Sequence, residues 1–138
     1  MVITICMSML LAHRLPVLTA ELEAAGHEVL TPVDTDGFDY VGATTSERAS
    51  QKREYDLIRE HWRKIQRSDA ILVVNEDLPG RPAYIGGNTF LEMGFAHVLE
   101  LPIYMMQQVP DTTYASEMLA MDPIVIDGIL SRIGETVI

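Results

Sequence analysis

Hydrophobic and polar positions along this chain change period repeatedly, and the changes mark strands alternating with helices. Val2-Ile3-Thr4-Ile5-Cys6 is a β-rich apolar run, after which Leu15, Leu18, Leu22 and Ala25 recur at helical spacing until Gly26 supplies a stop. Pro16 fits the first turn of that helix, so Met7 to Leu15 reads as a loop or a separate turn. His27-Glu28-Val29-Leu30 predicts a second strand closed by Thr31-Pro32, and Val33 to Thr45 has no sustained period and reads as a loop. Ser46 to Arg67 predicts one amphipathic helix with Tyr55, Ile58, Trp62 and Ile65 as its apolar stripe, a Glu60–Lys64 pair outside and its other charges on a solvated face. Ala70-Ile71-Leu72-Val73-Val74 is an unbroken apolar run, as in a strand covered on both faces. A loop from Asn75 to Ile85 leads into a helix carrying Phe90 to Leu99. Pro102 to Met106 then predicts a fourth strand, Ile124-Val125-Ile126 a short fifth, and Ile129 to Ile133 a weakly patterned terminal helix.

This alternation predicts one α/β domain over residues 1–138: a three-layer sandwich around a five-stranded parallel sheet, flavodoxin- or Rossmann-like, in the order 2-1-3-4-5. The loops after Cys6 and after Val74 would open on the same edge, and Asn75, at the carboxyl end of the central strand, is a candidate ligand contact. A chain of 138 residues is long enough to bury a core without disulfide or metal staples. Its single cysteine, Cys6, reads as a buried structural thiol. Ten Lys+Arg against twenty Asp+Glu give a formal charge of −10, which argues against binding a nucleic-acid polymer while allowing a small anion held by local donors. No apolar run approaches the roughly 18 residues that span a bilayer, and no leader pattern opens the chain, so the expected location is cytoplasmic, without a membrane partner. Asp34, Asp36 and Asp39 lack the rest of a calcium loop, and no metal is expected there.

Chemistry concentrates at Glu92, the one carboxylate in Phe90-Leu91-Glu92-Met93-Gly94-Phe95-Ala96-His97-Val98-Leu99, just after Tyr84-Ile85-Gly86-Gly87-Asn88-Thr89. A helix this apolar on every side is expected to be buried, and an unpartnered buried carboxylate costs several kcal/mol. Two explanations stand side by side. Thr89-Phe90-Leu91-Glu92 matches a capping box, with Thr89 as N-cap and Glu92 folding back onto its amide. Alternatively, Glu92 is a nucleophilic or electrostatic carboxylate at a pocket mouth, beside glycines that let a ligand approach the backbone.

The run Ser68-Asp69-Ala70-Ile71-Leu72-Val73-Val74, the glycine turn, Thr89-x-x-Glu92-Met93-Gly94-Phe95-Ala96-His97 and Leu101-Pro102-Ile103 together resemble the nucleoside 2-deoxyribosyltransferase family over about forty residues. The resemblance implies that Glu92 attacks the anomeric carbon of a nucleoside or nucleotide, forming a glycosyl-enzyme that a second base or water resolves, with no cofactor. Nucleoside-processing members carry an Asp six residues before that glutamate, where this chain has Gly86. Relatives acting on 5′-monophosphates lack it as well, so Gly86, Gly87, Asn88 and Thr89 at a helix N-terminus suit a phosphate. A helper Asp of the family aligns with His61, which would orient Glu92 or protonate a leaving base, or would only pack beside Trp62. Asp69 reads as a structural turn carboxylate at the opposite end, and Met7 stands where relatives often have Gly. Ser8 and Tyr84 are candidate hydrogen-bond donors, while His13 and Arg14 reach a phosphate only if their loop folds inward. The family's shared pockets and the 48% hydrophobic content imply a homodimer or larger assembly. The rival readings are a glycohydrolase acting on NAD and a non-catalytic nucleotide sensor.

Overall fold

The computed structural model describes residues 1–32, 41–54 and 56–135; the Asp34, Asp36 and Asp39 loop lies outside them. Strands β1 (Val2–Cys6), β2 (Glu28–Leu30), β3 (Ala70–Val73), β4 (Ile103–Met105) and β5 (Ile124–Val125) form one sheet in the order β2-β1-β3-β4-β5. Every pairing is parallel, with Ile3 opposite Ala70, Ile71 opposite Ile103 and Tyr104 opposite Ile124. This is the expected architecture and strand order.

Alternation along the strands divides the core in two. Ile3, Ile5, Leu72 and Tyr104 pack with Leu18 and Leu22 of α1 (Leu15–Ala24) on one face. On the other, Cys6, Ile71, Val73, Ile103 and Met105 pack with Ile65 of α3 (Leu57–Gln66), Met93 and Ala96 of α4 (Gly87–Val98), and Met118 of α5 (Ala115–Ala120). Helices therefore cover both faces of a sheet whose three central strands, β1, β3 and β4, are nearly all buried, which is why β3 reads as a continuous apolar run. Met9–Arg14 forms a separate 3₁₀ turn before Pro16, as the proline required. Among the described residues no helix is long and apolar enough to cross a membrane.

Three elements differ from the sequence reading. The helix expected from Ser46 to Arg67 is two, α2 (Thr45–Glu54) and α3, separated at Asp56, whose backbone is left-handed with φ 48°. The break rotates α3, so that His61 and Ile65 face the sheet while Ile58 is 42% exposed. Trp62 meets Phe95 edge to face at 5.1 Å, and Tyr55 lies outside the described residues. Glu60 pairs with Arg63 instead of Lys64, whose ammonium donates to the Thr31 carbonyl. The short helix α5 was not expected, since it buries only Met118. A single 3₁₀ turn, Leu130–Arg132, replaces the terminal helix.

Two polar residues fix the ends of the sheet. Asp69 accepts from the Val2 amide at 2.7 Å at the amino end, the structural role expected of it. Asn75, at the carboxyl end, is fully buried and spends its amide on β4's exit: Nδ2 donates to the Gln107 and Gln108 carbonyls at 3.0 and 3.2 Å, and Oδ1 accepts from the Gln107 amide at 3.0 Å. It clamps two strand ends, with both amide hydrogens and one of the two lone pairs of Oδ1 spent on the protein itself, and it lies outside the cavity lining, where the sequence suggested a ligand contact.

Candidate active site

At the carboxyl edge of the sheet, where order reverses between β1 and β3, the chain leaving β1 meets the N-terminus of α4 and one face of α2. A cavity of about 170 Å³ opens there, lined by Met7, Ser8, Tyr84, Gly86, Gly87, Asn88 and Thr89, and by Arg48, Gln51 and Lys52 of α2. A crevice at such a switch point follows from the topology, because loops on the two sides diverge.

Glycine at the turn allows α4 to begin earlier than the capping-box pattern suggests. Gly86 is the N-cap, in extended conformation at φ −81° and ψ 173°, and Gly87 is the first helical residue. Thr89 is therefore inside the helix, and Glu92 lies in the second turn. No main-chain amide among the described residues holds the Glu92 carboxylate, so the capping box is absent and the cap explanation for Glu92 falls with it. The Thr89 hydroxyl is buried and has no hydrogen-bond partner among the described residues, though Thr89 lines the cavity.

Glu92 lies one turn behind Asn88 and Thr89 on the same face of α4. Its side chain is 12% exposed, and its Oε2 is 3.4 Å from Nε2 of His61, itself 5% exposed. The same Nε2 is 3.0 Å from the Ile5 carbonyl and 3.6 Å from the Cys6 thiol. The structure thus brings together His61 and Glu92, thirty-one positions apart. Burial pushes the Glu92 carboxyl up to about 8, against the opposing pull of the Lys52 and Lys64 ammoniums. Burial likewise pulls His61 down to about 4, helped by Lys64 and opposed by its bond to Ile5. The Cys6 thiol is raised, first by its burial and then by Glu92. All three shifts favour the uncharged form at neutral pH.

Ser8, Tyr84 and Gly86 to Thr89, the candidate ligand contacts, line the cavity, and Ser8 Oγ also accepts from the Leu10 amide. His61 and Glu92 lie behind that lining and Asn75 outside it. Arg14 pairs with Glu76 at 2.6 Å, and neither His13 nor Arg14 reaches the cavity. The sequence reading missed Gln51, and also Arg48 and Lys52, two charges it had assigned to a solvated face. Lys52 Nζ donates to Asn88 Oδ1 at 3.0 Å, bridging α2 to the head of α4. The available signal was the i, i+4 spacing of Arg48 and Lys52, which puts two cations on one side of a helix.

The fold and crevice define a Rossmann-like parallel α/β protein with a cavity at its topological switch point. Solved structures with this fold include the 2-deoxyribosyltransferase of Bacillus psychrosaccharolyticus, at TM-score 0.53 and 15% identity over 76% of this chain and 71% of that one. They also include the 2-deoxyribosyltransferase of Leishmania mexicana, at TM-score 0.52 and 16% identity over 79% of this chain and 67% of that one. The likeness is one of fold. No protein-family model and no curated protein matches the sequence.

Proposed function

We propose that this protein cleaves or transfers the N-glycosidic bond of a nucleoside 5′-monophosphate, with Glu92 as nucleophile and His61 as its positioning partner. The observation that carries this reading is the Glu92 carboxyl itself, buried beside the cavity lining, held by no main-chain amide among the described residues and with the His61 imidazole 3.4 Å away as its side-chain neighbour. Ionised Glu92 would attack C1′ as the C1′–N bond breaks, the base leaving with that electron pair and taking up a proton. Water or a second base then displaces the carboxylate from C1′. A negative oxygen beside an oxocarbenium-like centre is strongest where water is excluded, which is what burial supplies. Fold likeness to 2-deoxyribosyltransferases supports the same chemistry.

Support for a phosphate comes from the cavity's head. The first turn of α4 presents amides at Gly87, Asn88 and Thr89, the Thr89 hydroxyl has no partner among the described residues, and Lys52 lines the same space. A volume of about 170 Å³ is close to that of the roughly 150 Å³ cavity known to accept one aromatic ring, so it suits a sugar phosphate better than a whole nucleotide. The base would then project toward the cavity mouth. Homo-oligomerisation would cover it, and the exposure of Leu91 at 46% and Val98 at 78% on α4 supports such an assembly.

Incubation with a panel of nucleosides, 5′-monophosphates and NAD, followed by chromatography of the released base, tests the activity. Base from monophosphates is expected. Nicotinamide from NAD would select a glycohydrolase instead, and ligand-induced thermal shifts with no release would select a sensor. Selectivity has its own test. Lys52→Met is expected to weaken monophosphate binding about tenfold in calorimetry and to leave nucleoside binding nearly unchanged. Gly86→Asp is expected to do the same by placing a carboxylate against the phosphate. A β-carbon at Gly86 would meet the Tyr84 hydroxyl at 3.5 Å, an ordinary contact, and Asp is a favoured N-cap, so the fold should tolerate it. Equal losses for nucleoside and monophosphate would remove the phosphate assignment.

A further inference from the structure

Cys6, His61 and Glu92 come from β1, α3 and α4, far apart in sequence, yet one ligand atom from each lies within 4.8 Å of the other two. We propose that these three side chains form a site for a thiophilic divalent cation of the zinc class, and that the bound cation silences Glu92. Binding stands on the geometry alone, whereas silencing rests on Glu92 acting as the nucleophile.

The argument starts from the donors. A thiolate, an imidazole nitrogen and a carboxylate oxygen make the mixed set that borderline-soft cations prefer, and three protein ligands leave a fourth position open. Bond lengths of about 2.3 Å to sulfur and about 2.0–2.1 Å to nitrogen and oxygen place neighbouring tetrahedral ligand atoms roughly 3.3–3.6 Å apart. His61 Nε2 lies 3.6 Å from Cys6 Sγ and 3.4 Å from Glu92 Oε2, so both edges through the imidazole already fit. Only the sulfur–oxygen edge has to close. The cost is the Nε2 bond to the Ile5 carbonyl and the weak bond from the Cys6 thiol to the Thr4 carbonyl, and the Cys6 and Glu92 protons pass to solvent as the cation enters. Nε2 gives up the Ile5 carbonyl and its proton moves to Nδ1, which has no protein partner among the described residues. The two ammoniums near Glu92 are already engaged, Lys52 with Asn88 and Lys64 with the Thr31 carbonyl. Glu92, the most exposed of the three, provides the approach from outside.

Cobalt is the informative probe, because a thiolate ligand gives Co²⁺ a sulfur-to-metal charge-transfer absorption and this chain has a single cysteine. Titrating the full-length protein with Co²⁺ under reducing conditions should develop that absorption with a stoichiometry of one, and Zn²⁺ should displace it. Cys6→Ser and Cys6→Ala, each checked for fold by circular dichroism, should lose the band and bind Zn²⁺ at least about 100-fold more weakly. Glu92→Gln should keep the thiolate band but bind more weakly. Cobalt binding without a thiolate band, as at the exposed Met1 amine beside His27, would overturn the site, as would no binding. In the base-release assay Zn²⁺ should inhibit the wild type and spare the Cys6 variants. A thiolate band accompanied by uninhibited base release would overturn silencing. A thiolate band in a protein that releases no base at all would uphold the site and remove the glycosidase reading.

Discussion

Glu92→Gln is expected to lower base release by at least about 10³-fold and, at pH 8, to raise the melting temperature. The two effects have one cause. Burial holds the Glu92 carboxyl at about 8 against an ordinary value of 4.5, so between those pH values the native state keeps a proton that the unfolded chain has lost. Stability from this group is complete below pH 4.5 and is lost as pH rises through 8. His61 acts in the opposite sense. Its value of about 4 against 6.5 means that the unfolded chain binds the extra proton, so its contribution grows from pH 4 to 6.5. The two slopes oppose each other between 4.5 and 6.5, and only the Glu92 decline remains from 6.5 to 8. Glutamine has no proton to lose and removes that decline, a gain of about a few kcal/mol at pH 8. A group that merely held the fold together would behave in reverse, with its loss destabilising the protein. The same ionisation governs rate, so wild-type kcat/KM should rise tenfold per pH unit towards about 8 and level off above it. A profile flat from pH 5 to 8 would remove Glu92 as the attacking group.

The cost of burying Glu92 also explains how far the site could be read before folding. Glu92 was legible because an acid among apolar neighbours is conspicuous in one dimension. The sheet order was legible for a similar reason, since β3 and β4 carry unbroken apolar runs, and β1 one interrupted only by Thr4, of the kind that a doubly covered parallel sheet accommodates. What could not be read depends on backbone breaks without a glycine or proline to signal them. Asp56 takes a left-handed backbone, ends the register of α2 and turns His61 inward. A continuous helix would have kept Tyr55 and Ile58 on the buried stripe and Lys52 in solvent. The start of α4 was misplaced by three residues for a related reason. Gly86 caps through its backbone and leaves no side-chain signature, whereas Thr89 mimics one. The expectation that α4 is buried all round also fails, because Leu91 and Val98 face outward in the single chain. The Cys6–His61–Glu92 cluster was invisible as well, since no local spacing links three residues on three elements.

Asn75→Ala carries the second large effect, and it separates a structural asparagine from a ligand contact. Truncation strands the Gln107 amide and the Gln107 and Gln108 carbonyls, which the Asn75 side chain satisfies in a fully buried position. The remaining bond, from Gln107 Nε2 to the Asn75 carbonyl at 3.1 Å, involves the backbone and survives the substitution. Each stranded group costs roughly 1–3 kcal/mol unless water reaches it, so a loss of about 3 kcal/mol, or roughly 10 °C in Tm, is expected from thermal unfolding. Asn75→Asp should fall between the two, since its carboxylate still accepts from the Gln107 amide but repels both carbonyls. Ligand affinity of the folded fraction should be unchanged in both variants. If Asn75→Ala kept the wild-type Tm and instead lost nucleotide affinity, the side chain would belong to the pocket. The clamp between β3 and β4 would then have to be carried by backbone pairing alone.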